Sequence, residues 1–403
     1  MTKENDAQLL CVIWAFDMNN EFIKECCENS FEEIREIRRL LHQYPEMGNS
    51  EFRTTEIIMN CLNKWNVLYE RLLETGVVAE IEGNIKGKTV AIRADIDALP
   101  VGEKTGLDFT SLNEGRMHAC GHDIHTAALL GVAKILSENR DKLKGTVRLI
   151  FQPDEELLGG AERLIEKGAM ENVSAVFGLH VRPELPKNHV QVKYGKSYAA
   201  ADVFEIDVIG KSAHGAEPHK GIDALLIASH IVTALQTVVS RNLAPTESAV
   251  LSVCTFNAGT VCNQIAGKAT FGGIMRSLGK DTRMKLKDLL ISTAKGIAES
   301  MGAECEVRIR ESYPGITNEN EMTAFLKSCA EDILGEENVS VSETPLMTSE
   351  DFGFYLDEAP GSFYHVGCEC DYPLHSDRFK PDESAIMTGM LVHIKTAVEL
   401  LNK

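Results

Sequence analysis

The stretch Met117-His118-Ala119-Cys120-Gly121-His122-Asp123-Ile124-His125 sets a thiol, three imidazoles and a carboxylate side by side, between a strand-like run and a helix-like one. Groups this polar are poor core material, because each would need a buried partner. A lone histidine here would be read as part of a solvated turn; the cluster as a whole reads as a ligand-bearing segment. Upstream, Thr89-Val-Ala-Ile-Arg-Ala-Asp95 is apolar and β-branched, the pattern of a buried strand that delivers Asp95 and Asp97 at its carboxyl end. Downstream, residues 126–136 are apolar on nearly every side, which predicts a helix lying against a sheet.

The same rhythm continues outward. Residues 146–151 predict a second buried strand, ending in Gln152-Pro153-Asp154-Glu155-Glu156, and Gly159-Gly160 break the chain before a helix over 161–167. A third strand over 175–179 ends at His180. Alternating strands and helices at this spacing suit parallel βα units. Asp95, the acidic triplet and His180 then all fall just past strand carboxyl ends, the edge where open α/β sheets place their ligands.

From about residue 198 the order becomes strand, helix, strand, strand, helix, strand, which is the ferredoxin-like unit. The predicted organisation is an N-terminal extension over 1–29, a catalytic domain over 30–196 and 313–403, and an inserted domain over 197–312. A capping box, Ser30-x-x-Glu33, is expected to open the first catalytic-domain helix.

At 403 residues the chain exceeds what one core usually supports, so two domains are expected. Sixty acidic residues against 41 basic give a net charge of -19, which repels phosphate backbones and argues against nucleic-acid partners. The apolar run over 9–16 is too short to span a bilayer and lacks the flanks of an export signal, so no membrane association is expected. Eleven scattered cysteines do not form a disulfide framework, and a reducing cytoplasm fits them best. Three Gly-Lys-Ser/Thr triplets lack the upstream glycine of a phosphate loop.

Cys120 and His122, two apart, suit one metal from an irregular loop, with His180, His375 and a carboxylate of the 154–156 triplet able to complete the shell. Thiolate, imidazole and carboxylate together favour zinc, manganese, cobalt or nickel over calcium or magnesium. Ligands this numerous suit two ions, which together would activate a water for attack on a carbonyl. Adjacent Glu155 and Glu156 need separate tasks, one on the metal and one as general base, since two such charges side by side repel.

Six motifs then form an ordered set: Arg93-Ala-Asp-Ile-Asp-Ala-Leu-Pro100, His118-Ala-Cys-Gly-His-Asp-Ile-His125, Phe151-Gln-Pro-Asp-Glu-Glu156, Gly178-Leu-His180, Gly210-Lys-Ser-Ala-His-Gly215 and Tyr372-Pro-Leu-His375. In this order, over residues 31–403, the chain resembles the dinuclear metallo-amidohydrolases, which include aminoacylases, hippurate hydrolases, N-acetyl-diaminopimelate deacetylases and auxin-conjugate hydrolases. The resemblance implies an α/β zinc-peptidase-like catalytic domain with an inserted ferredoxin-like (βαββαβ) lid. It implies that Cys120, His122, Glu156, His180 and His375 hold two divalent ions, most simply manganese or zinc, and that Glu155 is the general base. It further implies that the lid pairs with another subunit in a homodimer or larger assembly and that His214 polarises the scissile carbonyl in the partner's site. Asn263 and Arg276 match lid positions that meet the substrate carboxylate.

Two departures stand out. Asp154 occupies a position that is commonly alanine and adds a charge beside the base, and the segment after Asn263 lacks the usual proline and acidic residue. The expected activity is hydrolysis of an N-acyl amino acid to a carboxylate and a free amino acid. Other readings are a dipeptidase of the same fold, a thiol amidase using Cys120 as nucleophile with His122, and a catalytically silent protein that binds acyl amino acids or peptides.

Overall fold

The computed structural model describes residues 18–403. Two compact units separate within it: unit 1 takes the chain up to Gly195 with Thr317–Thr344 and Asp351–Lys403, and unit 2 takes Lys196–Ile316 with Pro345–Glu350.

Unit 1 opens with helix α1 (Asn20–Gln43), capped by Asn19, whose side chain accepts the Phe22 N–H at 3.0 Å. This corrects the start expected at Ser30. Ser30 is buried mid-helix, on a core-facing line of Ile23, Cys27, Ser30, Ile34, Arg38 and Leu41 spaced by three or four residues. The small and polar members of that line conceal its period. Of the extension expected over 1–29, residues 20–29 therefore belong to α1, and residues 1–17 lie outside the described residues.

Helix α2 (Phe52–Lys64) and strands β1 (Leu68–Leu72), β2 (Gly76–Glu82) and β3 (Ile85–Asp95) follow. Helix α3 (His122–Glu138) starts at the second histidine of the knot, so His122 stands on a helical first turn and not on the irregular loop expected for it. Gly121 makes this possible. Its φ is 88°, and a Cβ there would lie 2.4 Å from Val181 Cγ2. Every α3 residue from His122 to Ala133 is buried, as the uniformly apolar sequence requires. Next come β4 (Lys144–Gln152), α4 (Ala161–Glu166), β5 (Val173–Arg182) and β6 (Val190–Val192). His180 lies inside β5 and not past its end, because a later strand pairs with β5 out to Arg182.

Unit 2 contains β7 (Ala200–Ile209), α5 (Ala224–Asn242), β8 (Ala249–Ala258), β9 (Lys268–Ser277), α6 (Lys280–Ser300) and β10 (Glu304–Glu311). Its antiparallel sheet runs β8-β9-β7-β10, the ferredoxin-like arrangement. Ile227, Ile231 and Leu235 of α5 and Leu286 and Leu290 of α6 pack on Phe204, Ile206, Val208 and Phe271 of the sheet.

The chain returns to unit 1 with α7 (Asn320–Leu334), β11 (Val339–Val341), β12 (Gly361–Gly367) and α8 (Ser384–Asn402). The eight-stranded sheet runs β1-β2-β4-β3-β5-β12-β6-β11. β3, β4 and β5 are parallel where they pair, as the βα rhythm predicts, and β12, which the sequence did not reveal, joins β5 in parallel too. The connection after β3 leads to β4 on one side, and the one after β4 crosses to β5 on the other. Such a reversal opens a crevice at the strand carboxyl ends. Helices α5 and α8 are each long and apolar enough to cross a membrane by length and composition, but α8 is 83% buried over its most apolar window and is a core helix.

Candidate metal centre

Five segments converge at that crevice: the ends of β3 and β4, strand β5, the first turn of α3 and the irregular segment before α8. Cys120, His122 and His180 bring ligand atoms within 4.8 Å of one another, as do Cys120, Glu156 and His375, and also His122, Glu155 and Glu156. Cys120 Sγ lies 3.3 Å from His180 Nε2, His375 Nε2 lies 3.3 Å from Glu156 Oε1, and His122 Nε2 lies 3.9 Å from the same oxygen. The six residues expected in unit 1 are thus gathered, and the first two triads meet at Cys120.

Two of the three inward-facing imidazoles, His122 and His180, are held through their other nitrogen. His122 Nδ1 bonds to Asp97 Oδ1 at 3.0 Å, while Asp97 Oδ2 accepts the Glu156 N–H at 3.0 Å. One carboxylate therefore orients two of the candidate ligands. His180 Nδ1 donates to the Val181 carbonyl at 2.7 Å. His125 is different. Its Nδ1 bonds to Asp95 Oδ1 at 2.6 Å and its Nε2 accepts the Val181 N–H at 2.9 Å, so neither nitrogen remains for a metal. His118, buried and absent from these groups, is kept neutral by burial, its pKa lowered to about 3.

Behind the cluster, Arg93 joins Asp95 and Asp351, each at 2.7 Å. Asp351 also accepts from Gln152 Nε2 and from the N–H groups of Gly160 and Ala161 at the start of α4. Asp95 and Asp97 were legible as strand-end carboxylates, yet their tasks were not. Asp351 carries no motif signal in the sequence.

The electrostatics call for cations. Burial opposes charge on His122, but Asp95, Asp97 and Glu156 outweigh it and raise its pKa to about 10. The Cys120 thiol is pushed well above its ordinary value, by burial first and then by Glu156, Glu155 and Asp95. That is the opposite of an activated nucleophile, and Cys120 pairs with His180 rather than with His122. His122 Nε2 is buried without any hydrogen-bond partner, and the buried Glu156 Oε1 has the half-exposed His375 imidazole at 3.3 Å. An orphaned imidazole nitrogen, a thiol that ionises only beside a positive charge, and an excess of carboxylates fit two divalent ions. Asp154 does not load this site as expected. It adopts φ 60° and its Oδ2 is held by Asn49 Nδ2 at 2.6 Å and Arg163 at 2.7 Å, so its charge is matched outside the cluster.

His214, Asn263 and Arg276 belong to unit 2. His214 and Asn263 are neighbours: His214 pairs with Gln264, and the Gly215 N–H donates to the Asn263 carbonyl at 2.8 Å, with both side chains exposed. Arg276 is half-buried near the other end of β9. At roughly 3.3 Å per residue, it stands about 25 Å along the strand from the end beside His214 and Asn263.

A sequence model of peptidase family M20/M25/M40 matches residues 91–399. The N-acetyl-L-cysteine deacetylase of Bacillus subtilis (strain 168) is 40% identical over 367 residues, covering 91% of this chain and 88% of that protein. Thermostable carboxypeptidase 1 of Saccharolobus solfataricus is 40% identical over 380 residues, 92% of this chain and 96% of that one. Among solved structures, a dinuclear metal-binding peptidase from the M20 family, also of Bacillus subtilis, superposes with a TM-score of 0.83 at 34% identity, covering 93% of this chain and 99% of that one.

Proposed function

The chain belongs to peptidase family M20/M25/M40, and from that premise we propose that it is a metal-dependent amidohydrolase cleaving N-acyl amino acids into a carboxylate and a free amino acid. The observation that carries the reading is the convergence of Cys120, His122, Glu156, His180 and His375 beside a second, buried carboxylate, Glu155. Mere binding needs no such acid. Bound at those five residues, two divalent ions, manganese or zinc by the donor chemistry, would polarise the scissile carbonyl and acidify the attacking water. Glu155 takes the proton from that water and delivers it to the amide nitrogen, so that the amino acid departs as a neutral amine. His214 donates to the carbonyl oxygen as it gains charge, and Asn263 and Arg276 receive the substrate carboxylate.

We further infer that unit 2 is a lid and dimerisation domain and that the protein works as a homodimer or larger homo-oligomer. An acyl amino acid cannot bridge groups about 25 Å apart along one strand, so a site using both His214 and Arg276 draws them from two copies. Helix α5 presents Leu225 and Leu226 to solvent, 44% and 48% exposed, and edge strand β8 presents Val250 and Phe256. A second copy seated there would cover that apolar face. The ten cysteines among the described residues are free thiols, which supports a cytoplasmic location.

The deciding experiment is Glu155→Gln assayed on N-acetyl and N-benzoyl amino acids with added manganese or zinc. Metal content stays near wild type and turnover falls by about three orders of magnitude or more. Retained turnover removes Glu155 from the mechanism. The carboxypeptidase relative favours one second reading, release of a C-terminal amino acid from peptides. Peptides hydrolysed faster than N-acyl amino acids would establish it.

A further inference from the structure

Among the candidate ligands, His375 is the least supported by packing. Its side chain is 54% exposed, against 10% for Glu156 and none for His122, and its segment has no regular secondary structure. It sits at φ 65°, and two backbone bonds hold that segment near the cluster. The His375 N–H donates to the Ala119 carbonyl at 2.8 Å, and two residues on, the Asp377 carbonyl accepts the Lys104 N–H at 2.7 Å.

Lys104 belongs to an irregular loop over residues 100–116, so its own position needs an anchor. Glu103 is the anchor beside it, while the Leu112 N–H on the Gln43 carbonyl at 2.8 Å holds the loop's far end. Its carboxylate is 3% exposed; Oε1 contacts His42 Nε2 at 3.2 Å and the Thr105 hydroxyl, and Oε2 accepts the Ser111 N–H at 2.6 Å. His42, on α1, bonds in turn through Nδ1 to Asp123 Oδ2 at 2.7 Å, one residue after His122. An unbroken line of polar contacts thus runs from the residue beside His122, through His42, Glu103 and Lys104, to the residue two beyond His375. The Lys104–Asp377 ion pair, at 2.7 Å, is 69% and 34% exposed and by itself contributes little. The weight falls on the buried carboxylate and the backbone bond.

We propose that Glu103 is a positioning residue for the metal ligand His375: it fastens the 100–116 loop to α1, and through the Lys104 N–H the loop holds the His375 segment against the cluster. The proposal rests on His375 being a ligand. Its consequence is selective, because His122 is held directly by Asp97 and His180 by the Val181 carbonyl, neither of them on that loop.

The test is stepwise manganese binding to metal-free protein, followed by calorimetry and by competition with a fluorescent chelator, in wild type, Glu103→Ala, Glu103→Gln, Asp377→Ala and His375→Ala. Glu103→Ala should weaken one of the two binding steps about 10- to 100-fold and leave the other within about twofold. Glu103→Gln, which keeps the shape and one acceptor, should recover most of that loss. Asp377→Ala removes only the exposed ion pair and keeps the carbonyl that accepts the Lys104 N–H, so it should leave both steps within about twofold. If Glu103→Ala does not fold, Lys104→Pro, which removes the N–H donated to the Asp377 carbonyl, takes its place, and unchanged binding in it overturns the proposal. Equal weakening of both steps, or of neither, in Glu103→Ala overturns it as well. If His375→Ala itself leaves both steps intact, the ligand assignment fails instead, and the two failures are told apart.

Discussion

At the scale of single residues, the candidate centre depends on carboxylates that hold other groups in place. Asp97 faces His122 Nδ1 with one oxygen and the Glu156 N–H with the other. Asp97→Ala releases both, and metal affinity should fall about 10- to 100-fold with kcat falling alongside, measured by titration of metal-free protein. Unchanged affinity would show that the neighbouring packing alone sets these side chains. Glu51 shows the cost of so many buried acids. Its carboxyl is fully buried and accepts from the Thr75 hydroxyl and the Asp154 N–H, and burial first, then the charge of Asp97, raises its pKa to about 7. The sign follows from proton counting. Between about pH 4.5 and 7 the folded state binds more protons than the unfolded one, so this group's contribution to stability is present in acid and lost as pH rises through 7. Glu51→Gln imitates the protonated form and should stabilise the metal-free protein by about 2–3 kcal/mol at pH 8 and by little at pH 4.5. Urea unfolding at the two pH values checks this, and an equal effect at both would rule out titration of Glu51 as the cause.

At the scale of elements, the turn into α3 concentrates the constraint. Gly121 combines a left-handed φ with contact against Val181, one residue beyond His180, so its Cβ-free backbone keeps the helix start and β5 in register. Gly121→Ala should cost about 2–4 kcal/mol by urea unfolding and also lower metal content. Gly106→Ala, where φ is 70° but a Cβ meets open space, isolates the backbone part and should cost only about 1 kcal/mol. The elements legible in the sequence were those with an uninterrupted signal: β3 as a β-branched run, α3 as an apolar helix, and the six-element order of unit 2. The start of α1 was hidden because Cys27, Ser30 and Arg38 stand on its buried line. His180 was expected at a strand end because the pairing with β12 that extends β5 comes from far along the chain. The same limit governed the site. Ligand types and spacing revealed which side chains could gather, but not that His125 is spent on Asp95 and Val181, nor that Asp154 turns to Arg163, since those facts exist only once distant strands are adjacent.

At the scale of the whole molecule, the question is whether one chain holds a complete site. His214 lies beside one end of β9 in unit 2 and Arg276 near the other, and helix α5 exposes Leu225 and Leu226 beside polar residues, with no carboxylate among its residues. A composite site makes a sharp prediction through subunit mixing. Glu155→Gln and His214→Ala should each be nearly inactive alone. When they are mixed and allowed to exchange, each hybrid dimer has one site carrying both defects and one carrying neither, because each chain supplies Glu155 to its own site and His214 to its partner's. With equal amounts and random pairing, half the dimers are hybrids, and activity should return to about a quarter of wild type. If His214 serves its own chain, every site in the hybrid keeps one defect and no activity returns. Replacing Leu225 and Leu226 with glutamate should separate the subunits in sedimentation and abolish that recovery, since two charges on a buried apolar face oppose association while leaving the metal cluster of unit 1 untouched.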